Sequence, residues 1–304
     1  MDDVLPYRIL DDCSSWADDE KLEPYQSLIA ASIAGELSPL AAAEQLTDLV
    51  AANGPTADKW TDVVSAAIAS AASSFPPCHV AHDTLYRVLD SLTSVSPKRQ
   101  IRNSVLDNNG EVKSIYEGLE YLLDTRPFIP LWEGFGRLQW PSAVEWLAEN
   151  GRSRWSGVEK CGSDEQKRWR NLSHFFAKLT VAGMTNLSDY SALFMLLPHQ
   201  QAFIAKGTPG WSGYLAGQAL AAARWIVPEG HAAWVRKECE KVDRLSGEDD
   251  KGSRFGKWNM QYWAVWRQTF QEVAGLRDDV RVHQVARKEA LKAFEIMARL
   301  DSRA

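Results

Sequence analysis

Apolar residues recur at intervals of three and four along almost the whole chain, and this spacing predicts an all-α protein. No segment alternates apolar and polar residues with a period of two, so little or no sheet is expected. The pattern indicates an irregular multi-helix bundle of about ten to twelve helices. No repeat of fixed length is visible, which argues against a solenoid.

Capping and breaking residues set the predicted helix ends. Pro24 lies near the start of the first helix, and residues 1–22 before it are expected to form an irregular acidic arm. Ser163 and Gln166 form a capping box, in which the Gln166 side chain reaches back to the N-cap. Ser188 is expected to cap a further helix that runs to Leu197.

The segment from Trp211 to Val227 is apolar on nearly every side, which predicts a central buried helix. Its residues Gly213, Gly217 and Ala221 recur every four positions and therefore share one face. Because these residues are small, a neighbouring helix is expected to approach this face closely.

Residues 23–304 are expected to form a single helical domain. The strongest internal break is 96–113, which contains Pro97, a basic cluster and the turn sequence Asp107-Asn-Asn-Gly110. This stretch is either a hinge between two helical subdomains or a surface loop within one domain, and we favour the loop.

Charge and cysteine usage narrow the choice of partners and compartment. The net charge of −6 combines an acidic excess in residues 1–150 with a basic excess in residues 151–304. The basic residues alternate with acidic ones along helices and form no stripe, so no nucleic-acid partner is expected. We also expect no membrane span, because the longest uncharged stretch is short and polar. Four scattered cysteines and the absence of a targeting signal predict a cytoplasmic protein.

The chain carries no recognisable catalytic or cofactor motif, and no cofactor is expected. It has no P-loop, no GxGxxG, no HExxH and no GxSxG sequence. The nearest approach to a metal site is Cys78-His79-x-x-His82, which lacks the third and fourth ligands that zinc requires. We interpret it as a helix N-terminus where a buried cysteine and two histidines are neighbours, and expect no metal.

Arg170 and His174 are the candidate catalytic residues. They lie four positions apart and so share one face of a helix. If that face lines a cleft, His174 can act as a general acid or base. The alternative is a half-buried histidine that forms a hydrogen bond to a neighbouring helix.

Tryptophans are concentrated in the second half of the chain, where eleven of the 13 lie between Trp132 and Trp266. One stripe of one helix carries Trp263, Trp266 and Phe270, while Trp169 and Trp225 belong to other helices. These five aromatic residues either form a packed core or wall a pocket for a flat apolar ligand. Under the second interpretation they are the candidate binding residues.

Four blocks of sequence in the second half of the chain are distinctive: WRNLSHFFAKLTVAG at 169–183, DYSALF at 189–194, AARWI at 222–226 and WAVWRQTF at 263–270. They resemble a large filamentous-fungal family known as domain of unknown function 3632. The resemblance covers roughly residues 115–300. It implies a helical, intracellular, fungal protein, and it implies no catalytic residues.

Two classes of function remain. The first is a non-catalytic helical module that binds an apolar small molecule or a protein partner. The alternative is a cofactor-independent enzyme of fungal secondary metabolism, of the cyclase, pericyclase or isomerase type, with a Trp-lined pocket. We favour binding, because no set of polar residues converges in the sequence.

Overall fold

The computed structural model describes residues 4–6, 19–52, 57–95, 100–102, 128–130, 161–198, 206–244, 258–277 and 279–303. Nine α-helices are present in these ranges. They are α1 (Asp19–Ala34), α2 (Pro39–Ala52), α3 (Ala57–Ser74), α4 (Ala81–Val95), α5 (Asp164–Val181), α6 (Trp211–Ala222), α7 (His231–Arg244), α8 (Met260–Gly275) and α9 (Gln284–Asp301). Short 3-10 helices cover Ser188–Tyr190, Ala192–Leu196 and Ala223–Trp225.

Sheet in the described residues is limited to one antiparallel pair of short strands. Strand β1 (Gln100–Arg102) pairs with β2 (Phe128–Pro130), and Ile101 lies opposite Ile129. The predicted all-α class is therefore confirmed, with slightly fewer helices in the described ranges than the ten to twelve expected. Apart from β1, the predicted break at 96–113 lies outside the described residues.

The chain divides into two compact units. The small unit comprises Tyr7–Ala72 and Cys78–Ala143. Within it α1, α2 and α4 pack against one another, and α2 with α4 is the most extensive pair. The buried face of α4 carries Leu85, Val88, Leu89 and Leu92, which are three or four residues apart.

The large unit comprises Met1–Pro6, Ser73–Pro77 and Val144–Ala304. Its centre is α6, in which every residue is buried, as the sequence predicted. Helix α6 packs against α5, α8, α9 and the 3-10 helix Ala192–Leu196. Helices α8 and α9 form the most extensive pair of this unit.

The close approach predicted at the glycines of α6 is made by one side chain of α5. Gln166 lies against Gly217, where an added Cβ would come within 2.4 Å of its amide group. Its Nε2 donates to the carbonyl oxygen of Gly213 at 3.2 Å. Its Oε1 accepts from the backbone nitrogen of Gly162 at 2.6 Å. The backbone nitrogen of Gln166 donates to the Ser163 hydroxyl, so the capping box is present, but its return bond reaches one residue beyond the N-cap.

Residues 4–6 are held against the end of α3 and the start of α5. The backbone nitrogen of Leu5 donates to the carbonyl oxygen of Ser74 at 2.8 Å, and the Leu5 side chain is buried. The Arg168 guanidinium donates to the Pro6 carbonyl oxygen and to the Ser74 hydroxyl. This part of the predicted arm is irregular, but it is fixed by backbone and side-chain hydrogen bonds.

Two helical segments differ from those predicted. Helix α1 begins at Asp19 rather than near Pro24, which lies inside it. A proline removes only the single backbone hydrogen bond to the carbonyl four residues earlier, so a helix can continue through it at a cost in stability. The segment that was expected to be one helix between Ser188 and Leu197 is instead two 3-10 helices, because the Ser191 hydroxyl accepts from the backbone nitrogen of Leu193 and begins a new turn there.

Among the described residues, none of the helices combines the length and the apolar character needed to cross a bilayer.

Candidate functional site

The aromatic stripe predicted on α8 lies on the buried side of that helix. Trp266 and Phe270 have 0% of their surface exposed, and Trp263 is also buried. Gln261 and Gln268, on the other side of α8, face solvent. The spacing of the aromatic residues therefore predicted correctly which side of the helix is covered.

Trp258, the residue before the N-cap of α8, is the centre of an aromatic cluster. Its ring meets Trp225 at 5.6 Å and Trp266 at 5.5 Å between centroids, with interplanar angles of 85° and 80°. Trp234 lies 6.0 Å away and Phe194 6.1 Å away. Edge-to-face contacts of this kind are favourable because the positive ring edge meets the negative face.

Of the five candidate binding residues, only Trp225 and Trp266 belong to this cluster. Trp169 is buried on α5, where its Nε1 donates to Gln218 Oε1 at 3.0 Å. Trp263 directs its Nε1 to Asp301 Oδ1 at 2.9 Å. The structure thus distributes the candidates over several contacts within the large unit.

The indole donors differ in how they are satisfied. Trp225 Nε1 donates to the Ser173 hydroxyl at 3.0 Å, and that hydroxyl donates to the Ala221 carbonyl oxygen at 2.9 Å. Within the described residues, Nε1 of Trp258 and of Trp266 has no hydrogen-bond acceptor. The two unsatisfied donors belong to neighbouring rings of the aromatic cluster.

Arg170, one of the two catalytic candidates, is buried and bonded to its neighbour. Its Nε and Nη2 donate to Asn171 Oδ1 at 3.0 and 2.7 Å. The Asn171 amide in turn donates to the carbonyl oxygen of Ser73 at 2.9 Å. His174, one turn further along α5, is half-buried. Neither candidate meets the Nε1 of Trp263, which donates to Asp301.

Asp301, at the end of α9, joins three helices and was not predicted. It accepts from Trp263 and pairs with Arg267, both on α8. It also pairs with Arg236 on α7, whose Nη1 lies 3.4 Å from Oδ1. No local spacing could indicate this site, because its partners lie more than 30 residues away in sequence.

An open groove lies beside this network, between the start of α7 and the end of α9. Its volume is about 260 Å³. The apolar part of its lining is Ile226, Val227, Pro228, Gly230, Ala232, Ala233, Ile296 and Leu300. Three charged residues complete it: Glu229, Arg299 and Arg303. None of the five aromatic candidates lines this groove, which we call the α7–α9 groove.

A buried polar group adjoins the groove on the α7 side. His231 is 8% exposed, and its Nδ1 donates to the Arg224 carbonyl oxygen at 3.1 Å. Burial lowers the pKa of His231; the hydrogen bond to Arg224 opposes this, and the charges of Arg224 and Lys178 lower it further. His231 is therefore neutral at pH 7.

Arg224 and Glu289 form an ion pair in which both side chains are largely buried. Burial acts to raise the pKa of Glu289, but the Arg224 charge and the hydrogen bonds from Lys292 and Arg224 hold it below its usual value. The Lys292 Nζ donates to Glu289 Oε1 at 2.7 Å. This pair connects the 3-10 helix after α6 to α9.

The residues of the Cys78-His79-x-x-His82 sequence serve different purposes. Cys78 is exposed, contrary to the buried position expected, because it precedes the helix. His79 Nδ1 accepts from the backbone nitrogen of Ala81, the first residue of α4, at 3.1 Å. His82 is buried. In the ranges that the structure describes, no three His, Cys, Asp or Glu residues are grouped so that they could hold a metal ion.

A family model described as a protein of unknown function, DUF3632, matches residues 66–270. The chain belongs to this family. The match includes α5, α6 and most of α8 with the tryptophans of the aromatic cluster. It begins and ends earlier than the roughly 115–300 that the resemblance of the sequence blocks covers. No curated protein and no solved structure matches the chain.

Proposed function

We propose that this DUF3632 protein is a non-catalytic module that binds an apolar segment of a protein partner in the α7–α9 groove. The observation that carries the proposal is the groove itself, which presents an apolar floor to solvent. Apolar surface left open between two helices is a common mark of a binding site for another protein.

The size and shape of the groove favour a protein segment over an enclosed small molecule. Small-molecule sites typically hold about 300–1,000 Å³ and cover some 70–90% of the ligand surface. This groove is smaller, at about 260 Å³, and it is open along one side. A segment of a larger partner gains further contacts on the surface around the groove, whereas a small molecule does not.

The contacts of the aromatic candidates support the same choice. Trp169, Trp225 and Trp263 each direct their indole N–H to an acceptor within the protein. These three side chains are also buried, so their rings pack against the protein itself. Among the groove residues, only Glu229 has a side chain that readily exchanges protons, which offers little support for the alternative of a cofactor-independent enzyme.

We also propose that the protein is cytoplasmic and fungal. Cys78, Cys161 and Cys239 are free thiols, which fits a reducing compartment. The fungal assignment is supported by the resemblance of the four sequence blocks.

Selection of peptides from a random library displayed on phage tests the binding proposal. The library is panned on the folded protein and then counter-selected on Leu300→Asp, which places a charge in the floor of the groove. We expect selected peptides to bind the unmodified protein and to lose at least tenfold in affinity on the variant, measured by fluorescence polarisation.

Two further variants test whether a loss of peptide affinity comes from misfolding rather than from the groove itself. Ala233→Gln enlarges an exposed residue that lines the groove, so it obstructs binding without disturbing the core. Leu291→Asp is the matched control, because Leu291 is 44% exposed on α9 and lies outside the groove. If no peptide is selected, or if the selected peptides bind Leu300→Asp and Ala233→Gln as well as they bind the control, the proposal is wrong.

A further inference from the structure

We infer that the segment bound in the α7–α9 groove is acidic, with an Asp or Glu side chain that meets Arg299 and Arg303 beside its apolar residues. This inference rests on the proposed function and adds the chemical class of the partner. It is carried by the distribution of charge around the groove.

Two arginines define the α9 end of the groove. Arg299 lies in the last turn of α9, and Arg303 follows four residues later, just beyond the helix. Both side chains are exposed, and neither forms an ion pair with any residue that the structure describes. Guanidinium groups placed in this way suit a carboxylate, which they can hold with paired hydrogen bonds.

The acidic residue closest to them in sequence does not cancel this charge. Asp301 lies between the two arginines, but it accepts from Trp263 and pairs with Arg267 and Arg236. Its carboxylate is therefore already neutralised by residues of α7 and α8. The positive charge of Arg299 and Arg303 remains available to an incoming group.

Glu229 is the one acidic side chain in the lining, so the two ends of the groove carry opposite charges. It lies in the turn before α7, where the positive end of the helix dipole favours a carboxylate. An acidic group of the partner is repelled by Glu229 and attracted by the arginines, so it is expected at the α9 end. The apolar residues of the segment then lie over Pro228 and Leu300.

The inference is tested on the peptides selected above, together with a charge-removed series. The strongest peptide is synthesised as selected, and again with its Asp and Glu changed to Asn and Gln. We expect an excess of acidic residues among selected peptides over the starting library. We expect the amide form to bind about 3- to 10-fold more weakly, the range that one or two exposed ion pairs provide.

The double variant Arg299→Gln/Arg303→Gln is expected to lower the affinity for the acidic peptide by a similar factor. It is also expected to make that affinity less dependent on salt concentration. The variant Arg299→Lys/Arg303→Lys keeps both charges and is expected to recover most of the binding. Lys288→Gln is the control, because it removes an exposed positive charge from the same helix about 16 Å away along its axis.

Failure of this inference can be separated from failure of the proposed function. If the selected peptides carry no acidic excess, or if the amide form binds equally well while Leu300→Asp still abolishes binding, the inference is wrong and the groove remains a binding site. If Leu300→Asp has no effect, the proposed function fails first. Thermal melting of each variant verifies that a loss of binding is not a loss of fold.

Discussion

At the scale of single residues, histidines of this protein act through their ring nitrogens as parts of the backbone framework. His79 and His283 each accept, at Nδ1, from the backbone nitrogen two residues later, at the starts of α4 and α9, and His283 is the N-cap of α9. His231 donates in the opposite sense to the Arg224 carbonyl oxygen. A metal-ligand interpretation of His79 from sequence competes with this simpler role, because unpaired backbone groups at helix ends also need partners.

The lowered pKa of His231 predicts a loss of stability in mild acid. The pKa of His231 is higher in the unfolded chain than in the folded chain. Protonation of His231 therefore favours unfolding, and the neutral imidazole favours folding. This contribution is complete above about pH 6.5 and is lost as the pH falls toward the folded pKa. His231→Gln keeps a donor for Arg224, and we expect the free energy of unfolding of the variant to fall less between pH 7.5 and 5.5. Urea unfolding at both pH values measures this, and equal falls in both proteins would contradict it.

Trp225 and Trp266 are the two candidate binding residues that belong to the aromatic cluster. Substitution of each by phenylalanine is expected to change the free energy of unfolding by a different amount. Trp225→Phe removes a buried hydrogen bond to Ser173, whereas Trp266→Phe removes none within the described residues. The loss of ring volume is the same, so Trp225→Phe should cost about 1 kcal/mol more in the free energy of unfolding. Chemical denaturation of the two variants makes the comparison. Equal costs would show that the bond to Ser173 adds nothing net.

At the scale of secondary-structure elements, the contact of α5 with α6 depends on a glycine. Gly217 lies inside α6, which has no exposed side. Helix propensity alone would favour alanine at this position. The space of the missing side chain is occupied by the Gln166 amide, which bonds to the backbone on both sides of the contact. The glycine thus serves interhelical hydrogen bonding at the expense of local helix stability.

Gly217→Ala is therefore expected to destabilise the protein by about 1–3 kcal/mol, because Gln166 must leave two hydrogen bonds, one of them buried. Gly275→Ala is the control. Gly275 is the last residue of α8, and an added Cβ there would meet nothing within 4 Å. Thermal unfolding should show that the free energy of unfolding of Gly275→Ala is unchanged or raised by up to about 1 kcal/mol. A stabilised Gly217→Ala would mean that Gln166 finds equivalent partners elsewhere.

At the scale of the whole molecule, the chain reaches its fold through packing of helices in two units, and apolar burial is its main stabilising term. The large unit is built around α6, and its outer helices are linked by the ion pairs of Asp301 and Glu289. The α7–α9 groove lies between helices that these pairs connect, so its shape is set by contacts among distant parts of the sequence.

We expect metal removal to leave the stability of the whole protein unchanged. Cys78 is exposed and His82 is buried, while His79 Nδ1 is bonded to the backbone, so these residues do not present a shared ligand set. The melting temperature should be the same with and without EDTA, with sodium sulfate of equal ionic strength as the control. A drop in melting temperature that zinc restores would show that the chain holds a structural metal.

The sequence by itself determined the helical class, the complete burial of α6 and the covered side of α8. Each of these follows from the spacing of apolar residues within one element, because a helix has a fixed period and must bury its apolar side. It also placed the Ser163 cap, since that bond joins residues close in sequence.

Only the tertiary structure decided what the buried indoles of Trp169, Trp225 and Trp263 meet. The acceptors of Trp169, Trp225 and Trp263 lie on other helices, and nothing near these residues in sequence specifies them. The groove likewise combines the turn before α7 with the end of α9, and its open shape depends on how those two helices pack. Periodicity fixes which side of a helix is buried, but the identity of the opposing residue is set by the packing of the whole unit.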